Sequence, residues 1–434
     1  MTLALNIPQA EFMASKKPFR GFCGGYRSGK TFIGCIRLWK NALEFPMIKQ
    51  GYFAPTYPHI RDIFYDTIAE VAEMLSAEWG IRLSVDINQS KHQVTLLVNG
   101  LFYSVIKCKS MTKPYSIVGF DINHALIDEI DCMKKKDADA AWKKIIARMS
   151  SVRADYPVNT VDFTTTPEGF NWMYDFFVKQ LREDPAKEEY YELVKASTLQ
   201  NAKNLPDDYI DKLYATYPEH LVDAYVNGEF VNLESGQVYR AYSKENESAE
   251  VVMLSDRELI VGMDFNVQQM AARIFVRRFV DGLETWHCVD ELCALYDTND
   301  MIEALIAKYP DKHLTIYPDA SGKNRKSNGA DITDLKLLRD AGFRVKAKES
   351  NPRVKTRINS VNAMFCNSEG VRRLFVNPKT CPQTHEDLQQ QIYNAKGEPD
   401  KSSGNDHGND AFGYPVVYEF PLTKPKPLGY ISVF

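Results

Sequence analysis

Short apolar runs alternate with amphipathic stretches through the first half of the chain. Phe19-Arg20-Gly21-Phe22-Cys23 is brief and mostly apolar, as a buried strand is, and Ile33, Ile36, Trp39 and Leu43 recur at roughly helical spacing within 31–43. The same pattern predicts a strand at 50–54, a helix at 59–77, strands within 93–106, a strand at 124–128, a helix at 138–148 and a strand at 159–164. Strands that alternate with helices in this way belong to an α/β layer. Residues 170–230 read as mainly helical and are rich in aromatics, among them Phe170, Trp172, Phe176, Tyr191, Tyr225 and Phe230. Core packing accounts for such aromatics, and the stretch (about 170–232) is expected to form a helical lid.

The pattern breaks at 232–256, where Glu234-Ser235-Gly236 and Ser243-Lys244-Glu245-Asn246-Glu247-Ser248 are polar. A domain boundary is expected there, with 1–232 as one domain, 233–257 as linker and 258–434 as a second domain. The second half opens on Leu259-Ile260-Val261-Gly262-Met263-Asp264, an apolar strand with an aspartate at its end. Strands at 271–279 and 284–290 follow across Asp281-Gly282, a hairpin signal. Then come a helix at 298–308, a strand at 313–319 that delivers Asp319, a helix at 331–341, a strand at 343–347, a helix at 354–367 and a strand at 373–377. Asn409-Asp410-Ala411-Phe412-Gly413-Tyr414 is expected to open a short helix. The order βββαβαβ with an acidic last helix is that of an RNase H-like fold.

Composition narrows the classes. A chain of 434 residues is long for one core and implies two domains. Its 44% hydrophobic and 25% charged residues are ordinary for a globular protein. No apolar run reaches membrane length and the start shows no signal-peptide pattern, so no membrane association is expected. The eight cysteines include no C-x-x-C pair, which fits reduced, cytosolic thiols better than zinc or disulfides. At a formal charge of −4, any contact with DNA has to be a local basic surface.

Candidate chemistry starts at residues 24–31. Gly24-Gly25-Tyr26-Arg27-Ser28-Gly29-Lys30-Thr31 is a complete G-x-x-x-x-G-K-[ST] loop between a predicted strand and a predicted helix. Its glycines let backbone amides close around phosphates at a helix N-terminus. Lys30 would reach the β/γ-phosphates and Thr31 would ligate Mg²⁺. Ala125-Leu126-Ile127-Asp128-Glu129 is an apolar strand that ends in two carboxylates. Asp128 would hold the Mg²⁺ shell and Glu129 would orient the attacking water, although an acidic turn would look the same locally. Thr164-Thr165-Thr166-Pro167, at the end of another strand, offers hydroxyls that could sense a γ-phosphate. In the second half Asp264, Asp319 and Asp410, with Asp406 as fallback for the last, would clamp two divalent metals. Their hard oxygens suit Mg²⁺ or Mn²⁺. The Gly/Ser/Asp-rich stretch 396–409 is expected to be a surface loop, either an inert connector or a gate beside that site with Lys396 and Lys401 for DNA phosphates and His407 near the metals.

Together these motifs resemble the large terminase subunit of tailed bacteriophages. Pro8-Gln9 stands where that family has its adenine-reading glutamine. Gly24–Thr31 and Leu126–Glu129 match its two nucleotide motifs, and Thr164–Pro167 resembles its coupling motif. Asn227-Gly228-Glu229-Phe230 resembles the close of its ATPase domain, and Met263-Asp264, Pro318-Asp319 and Asp410-Ala411 with Tyr414 its nuclease signature. The resemblance implies a RecA-like P-loop ATPase joined to an RNase H-like nuclease, with ATP and Mg²⁺ in the first and two Mg²⁺ or Mn²⁺ in the second. It further implies double-stranded DNA as substrate, the portal protein and the small terminase subunit as partners, and a homo-oligomeric ring on the portal. Action in the cytoplasm of an infected bacterium, outside the mature virion, goes with it. One departure concerns the arginine finger that the family often places before the acidic strand. Ser116-Ile117-Val118-Gly119-Phe120 has no arginine, which leaves Arg27 as a substitute in cis and Lys113 as a weaker one. The alternative is a superfamily 2 helicase or translocase, with Asp128-Glu129-Ile130-Asp131 as a DExD box. That enzyme needs a second RecA-like domain with phosphate-sensing arginines, and the second half carries an acidic triad instead.

Overall fold

The computed structural model describes residues 4–156, 158–233, 236–265, 270–323, 333–394, 397–401 and 404–422. The chain divides into two units, Met1–Leu233 and Glu234–Phe434.

The first unit is built on eight strands: β1 (Phe19–Gly24), β2 (Lys49–Ala54), β3 (Leu83–Asn88), β4 (Gln93–Val98), β5 (Leu101–Ser110), β6 (His124–Asp128), β7 (Thr160–Thr165) and β8 (Tyr191–Ala196). Their order is β3-β4-β5-β2-β6-β7-β1-β8. The run from β5 to β8 is parallel, and β3 and β4 add an antiparallel edge. Burial on both faces explains why β1, β2 and β6 are nearly continuous apolar runs. Successive residues of β1 serve different cores. Phe22 packs with Trp39 and Ile68 on one face, and Cys23 packs with Phe163 and Trp172 on the other.

The register sets up the site. Strand β7 lies between β1 and β6, with Thr165 opposite Cys23 and Thr164 opposite Asp128. The phosphate-loop strand and the acidic strand are therefore separated by one strand, the arrangement of RecA-like ATPases. The carboxyl ends of all three finish side by side, which is where ligands bind in open parallel sheets.

Three elements depart from the sequence pattern. Strand β8 lies inside the stretch expected to be mainly helical and pairs with β1 at the edge of the sheet. Its residues, Tyr-Glu-Leu-Val-Lys-Ala, are only partly buried, so they lack the apolar run of a central strand. The helix Ile7–Ala14, capped by Asn6, and strand β3 also escape the periodicity. The rest of 170–230 is helical in short pieces, including Tyr209–Thr216 and Glu219–Tyr225.

The second unit has six strands: β9 (Glu258–Asp264), β10 (Met270–Val280), β11 (Leu283–Leu295), β12 (His313–Pro318), β13 (Arg344–Val345) and β14 (Leu374–Val376), ordered β13-β12-β9-β10-β11-β14. Strands β9, β10 and β11 form an antiparallel meander, while β12 and β13 run parallel to β9. This is the RNase H-like order. Asp281 and Gly282 both take positive φ, 51° and 79°, as a two-residue hairpin turn requires. The helix Asp406–Glu419 is longer than expected and presses onto β9. A Cβ on Gly262 would lie 1.9 Å from the Ala411 carbonyl oxygen, so only glycine permits this approach. A helix at Pro382–Gln390 was not legible from periodicity.

The stretch 233–257, expected to be a linker, is packed where it is described. Val238, Tyr239 and Tyr242 belong to the core of the second unit. Buried Asn246 donates to the carbonyls of Phe365 (2.8 Å) and Leu374 (2.9 Å).

Candidate nucleotide and nuclease sites

The first site grows from the turn after β1. Gly29 sits in the left-handed region (φ 87°) as N-cap of the helix Lys30–Glu44, whose first amides have no intrahelical acceptor. Arg27 is exposed and also has positive φ, 57°. The Lys30 ammonium donates to the Gly25 carbonyl at 3.0 Å and stands 3.9 Å from Glu129 Oε1. The loop is gripped from the far side: Gly25 N–H donates to the Ala196 carbonyl (3.0 Å) and Tyr26 N–H to the Tyr225 carbonyl (2.6 Å). Gly24 pairs with Ala196 in the sheet, and the Ser28 hydroxyl is buried without a partner. Gln9 is buried and engaged. Its Oε1 accepts from Asn6 N–H at 3.1 Å, and its Nε2 faces the Gly29 carbonyl at 3.4 Å. Here the proposed adenine reader touches the phosphate loop itself.

Asp128 and Glu129 have distinct surroundings. The Asp128 carboxylate accepts from Tyr52 Oη (2.7 Å), Thr31 Oγ1 (3.2 Å) and Thr164 Oγ1 (2.7 Å). His59 Nε2 stands 3.5 Å from its Oδ2. Burial opposes ionisation, but His59 and the Thr164 and Tyr52 hydroxyls outweigh it and hold the carboxyl below the usual carboxylate range. Glu129 has φ 51° and accepts from Thr166 N–H at 2.9 Å, with Thr165 Oγ1 at 3.3 Å and Thr166 Oγ1 at 3.4 Å. Lys30, Thr31, Asp128, Glu129 and Thr164–Thr166 are thus brought together. Asp131, which would complete a DExD box, is turned into the fold. It accepts from Met173 N–H at 2.8 Å, and burial pushes its carboxyl up to about 7.

In the second unit Asp264 ends β9, and Asp319 follows β12 with its amide bonded to the Met263 carbonyl at 3.0 Å. Asp410 comes from the helix held close by Gly262. Each carboxylate has a nitrogen partner: Asp264 has His407 Nδ1 at 3.0 Å, Asp319 has Asn351 Nδ2, and Asp410 has Arg357 Nη2. Burial pushes Asp410 up to about 6; Arg357 opposes this, and the charges of Asp264 and Asp406 add to it. Burial also raises the Tyr414 hydroxyl, with the charges of Asp410, Asp319 and Asp264 adding to the effect. All three carboxylates therefore act on one neighbourhood. Among the described residues no three His, Cys, Asp or Glu side chains stand close enough, as they are, to enclose a cation. The donor set nevertheless fits one: hard oxygens from two strand ends and a helix, with Asp410 raised by burial and, beyond that, by like charge that a divalent cation would relieve.

Sequence comparison identifies the assembly. The family model "Terminase large subunit, T4likevirus-type, N-terminal" matches residues 22–244, and "Terminase RNaseH-like domain" matches residues 261–419. The chain belongs to the large terminase family. Its first unit is the terminase ATPase domain and its second the RNase H-like nuclease domain. Among solved structures, the large terminase of a thermophilic bacteriophage is 17% identical over 96% of this chain and 99% of that one, with a TM-score of 0.44. The ATPase domain of the Thermus phage P74-26 large terminase is 17% identical over 52% of this chain and 94% of that one, with a TM-score of 0.38. No curated protein matches. No helix among the described residues of this terminase is long and apolar enough to cross a membrane.

Several residues at the two sites carry no motif. Tyr52 and His59 come from elements with no acidic or Gly-rich signature, and Arg357 and Asn351 are isolated polar residues in their segments. His407 was legible, three residues before Asp410. Asp406 is buried, 3.8 Å from His407 Nε2 and 3.7 Å from Lys401 Nζ. Lys396 lies outside the described residues.

Proposed function

We propose that this terminase is a viral DNA-packaging motor. ATP hydrolysis in the first unit drives double-stranded DNA into a procapsid, and a two-metal endonuclease in the second cuts concatemeric DNA at initiation and termination. What supports this reading is the convergence of β1, β7 and β6, which delivers Lys30, Thr164–Thr166 and Asp128–Glu129 to one point.

On this reading Lys30 exchanges the Gly25 carbonyl for the β/γ-phosphates. Gly24, Gly25, Ser28 and Gly29 shape the loop, Gln9 supports it at the adenine side, and Arg27 swings from solvent toward the phosphates. Thr31 and Asp128 would hold Mg²⁺, which supplies charge neutralisation for the phosphates. Glu129 orients the attacking water and takes up its proton. Thr165 and Thr166, already bonded to Glu129, pass the change in its position along the segment that follows β7. In the second unit Asp264, Asp319 and Asp410 would hold two Mg²⁺ or Mn²⁺, which polarise the scissile phosphate and its attacking water. Portal protein, small terminase subunit and further copies of the chain in a ring are the partners, in the cytoplasm of the infected bacterium. A helicase is disfavoured because the second unit is not RecA-like.

The test is a double dissociation in the full chain. Glu129→Gln should lose DNA-stimulated ATP turnover and packaging into procapsids yet still cut plasmid DNA in Mn²⁺. Asp264→Asn should do the reverse. If both variants keep both activities, the assignment fails.

A further inference from the structure

Residues 344–355 carry Arg344, Lys346, Lys348, Arg353 and Lys355 against one acid, Glu349, in a chain whose formal charge is −4. Lys346 is engaged within the fold, where its Nζ donates to Glu419 at 2.7 Å and to Tyr317 Oη at 2.8 Å. Arg344, Lys348, Arg353 and Lys355 are exposed, and none has a carboxylate partner among the described residues. Like charges held close together repel, so the cluster favours an anion from outside the fold.

The segment is fastened against the three aspartates of the second unit. The Lys348 ammonium lies 4.3 Å from the centre of the Tyr418 ring, on the helix that carries Asp410. Asn351 Oδ1 accepts from Ala320 N–H at 2.8 Å, and its Nδ2 donates to Asp319. Val354 and Arg357, next along the chain, line a cavity of about 450 Å³ together with Asp406 and Asp410. The chain thus passes Asp319 and then Asp410 within a few residues. Lys348 stands three positions before Asn351 and Arg353 two after it, one cation on each side of the contact with Asp319. Five residues reach at most about 17 Å. That is about five steps of 3.4 Å along one strand of a duplex.

We propose that residues 348–353 are the track along which double-stranded DNA enters the nuclease site, with Lys348 and Arg353 on backbone phosphates to either side of the scissile one. This rests on the nuclease reading above. The track is a local basic surface of the kind a chain of net negative charge needs to hold a polyanion. Contacts to phosphates set the register of the duplex and carry no base information. Lys348 and Arg353 are positioning residues: they hold the flanking backbone and leave the reacting phosphate to the three carboxylates.

The experiment measures plasmid cleavage by the full chain in Mn²⁺ across a salt series, for wild type, Lys348→Gln, Arg353→Gln and the charge-keeping pair Lys348→Arg and Arg353→Lys. Lys379→Gln is the control, because it removes an exposed charge beyond β14, at the sheet edge opposite β13. Contacts made equally before and during the reaction raise KM and leave kcat. Each Gln variant should therefore raise KM at fixed salt and flatten the slope of log KM against log salt by about 0.9. The charge-keeping variants and Lys379→Gln should match wild type. Wild-type KM and slope in both Gln variants would overturn the proposal and leave the strip to a protein partner or to solvent. A fall in kcat at unchanged KM would overturn it too, by showing an effect on the metal site, as would an equal flattening in Lys379→Gln. Wild type that cuts no plasmid at any salt would bring down the nuclease reading itself, and the inference with it.

Discussion

The amide of Thr166 donates to the Glu129 carboxylate at 2.9 Å, which ties the end of β7 to the residue that follows β6. The tie runs both ways, because Glu129 N–H donates to the Thr164 carbonyl at 2.7 Å. Glu129 holds φ 51°, a conformation uncommon for a non-glycine residue and tolerated where function requires it. Its carboxylate is thereby aimed toward Lys30 rather than along the strand.

The first prediction follows from that aim. Glu129→Gln keeps the shape and an acceptor for Thr166 N–H but loses the capacity to take a proton. Nucleotide affinity should stay within a few-fold of wild type. Steady-state ATP turnover should fall by roughly 10²–10⁴, the usual contribution of a general base. Wild-type turnover in this variant, measured by phosphate release, would refute the role.

The second concerns the approach of the last helix to β9. Gly262→Ala places a methyl 1.9 Å from the Ala411 carbonyl oxygen and 2.7 Å from Pro415 Cδ. Neither atom belongs to a flexible side-chain end, so the helix must move and carry Asp410 away from Asp264. Overpacking of this kind costs about 1–3 kcal/mol or more. The second unit should melt several degrees lower and lose DNA cleavage in Mn²⁺, while ATP turnover in the first unit persists. A variant with both melting and cleavage intact would show that the close approach does not matter.

Most of this architecture is legible in the chain because its strongest signals are local. Gly24–Thr31 is one contiguous motif, and Asp128, Asp264 and Asp319 each end an apolar strand. What escapes is set by tertiary contact. Strand β8 is an edge strand in which Glu192 is half-buried and Lys195 exposed, so its pairing with β1 leaves no apolar run. His59 stands 3.5 Å from Asp128, almost seventy positions away in the chain, and no composition signals that. Arg357 meets Asp410 from a helix more than fifty positions earlier. The polar character of 243–248 suggested a linker, yet Asn246 is polar because it satisfies two buried carbonyls.

The third prediction uses Asp131. Its carboxyl titrates near 7 in the folded chain against an ordinary 3.8, because it is buried with Glu129 and Glu168 nearby. The folded state therefore holds this proton more tightly than the unfolded state. The stabilisation is fully present below about pH 4, declines as pH rises toward 7 and is absent above. Asp131→Asn retains an acceptor for Met173 N–H and removes the titration. Thermal melts of the first unit's transition should drop less between pH 5 and pH 8 in the variant than in wild type, by a few degrees. Parallel pH profiles for the two proteins would contradict the buried, protonated Asp131.

The last prediction concerns where the nuclease unit begins. Strand β9 starts at Glu258, and a fragment cut there would contain every strand and all three aspartates. It would lack Val238, Tyr239 and Tyr242, which are buried against Phe365, Leu388 and Phe412. Removing two large aromatics from a core costs about 3–5 kcal/mol each, comparable to the whole stability of a domain. It would also orphan the Phe365 and Leu374 carbonyls that Asn246 satisfies. A fragment spanning 234–434 should therefore fold, bind Mn²⁺ and cut plasmid DNA without ATP, whereas 258–434 should be poorly folded and inactive. Circular dichroism melts and a plasmid nicking assay on both fragments decide it. A cooperative melt and full cleavage by 258–434 would show that 236–257 is a connector after all. A folded 234–434 that binds no divalent metal would refute the two-metal assignment.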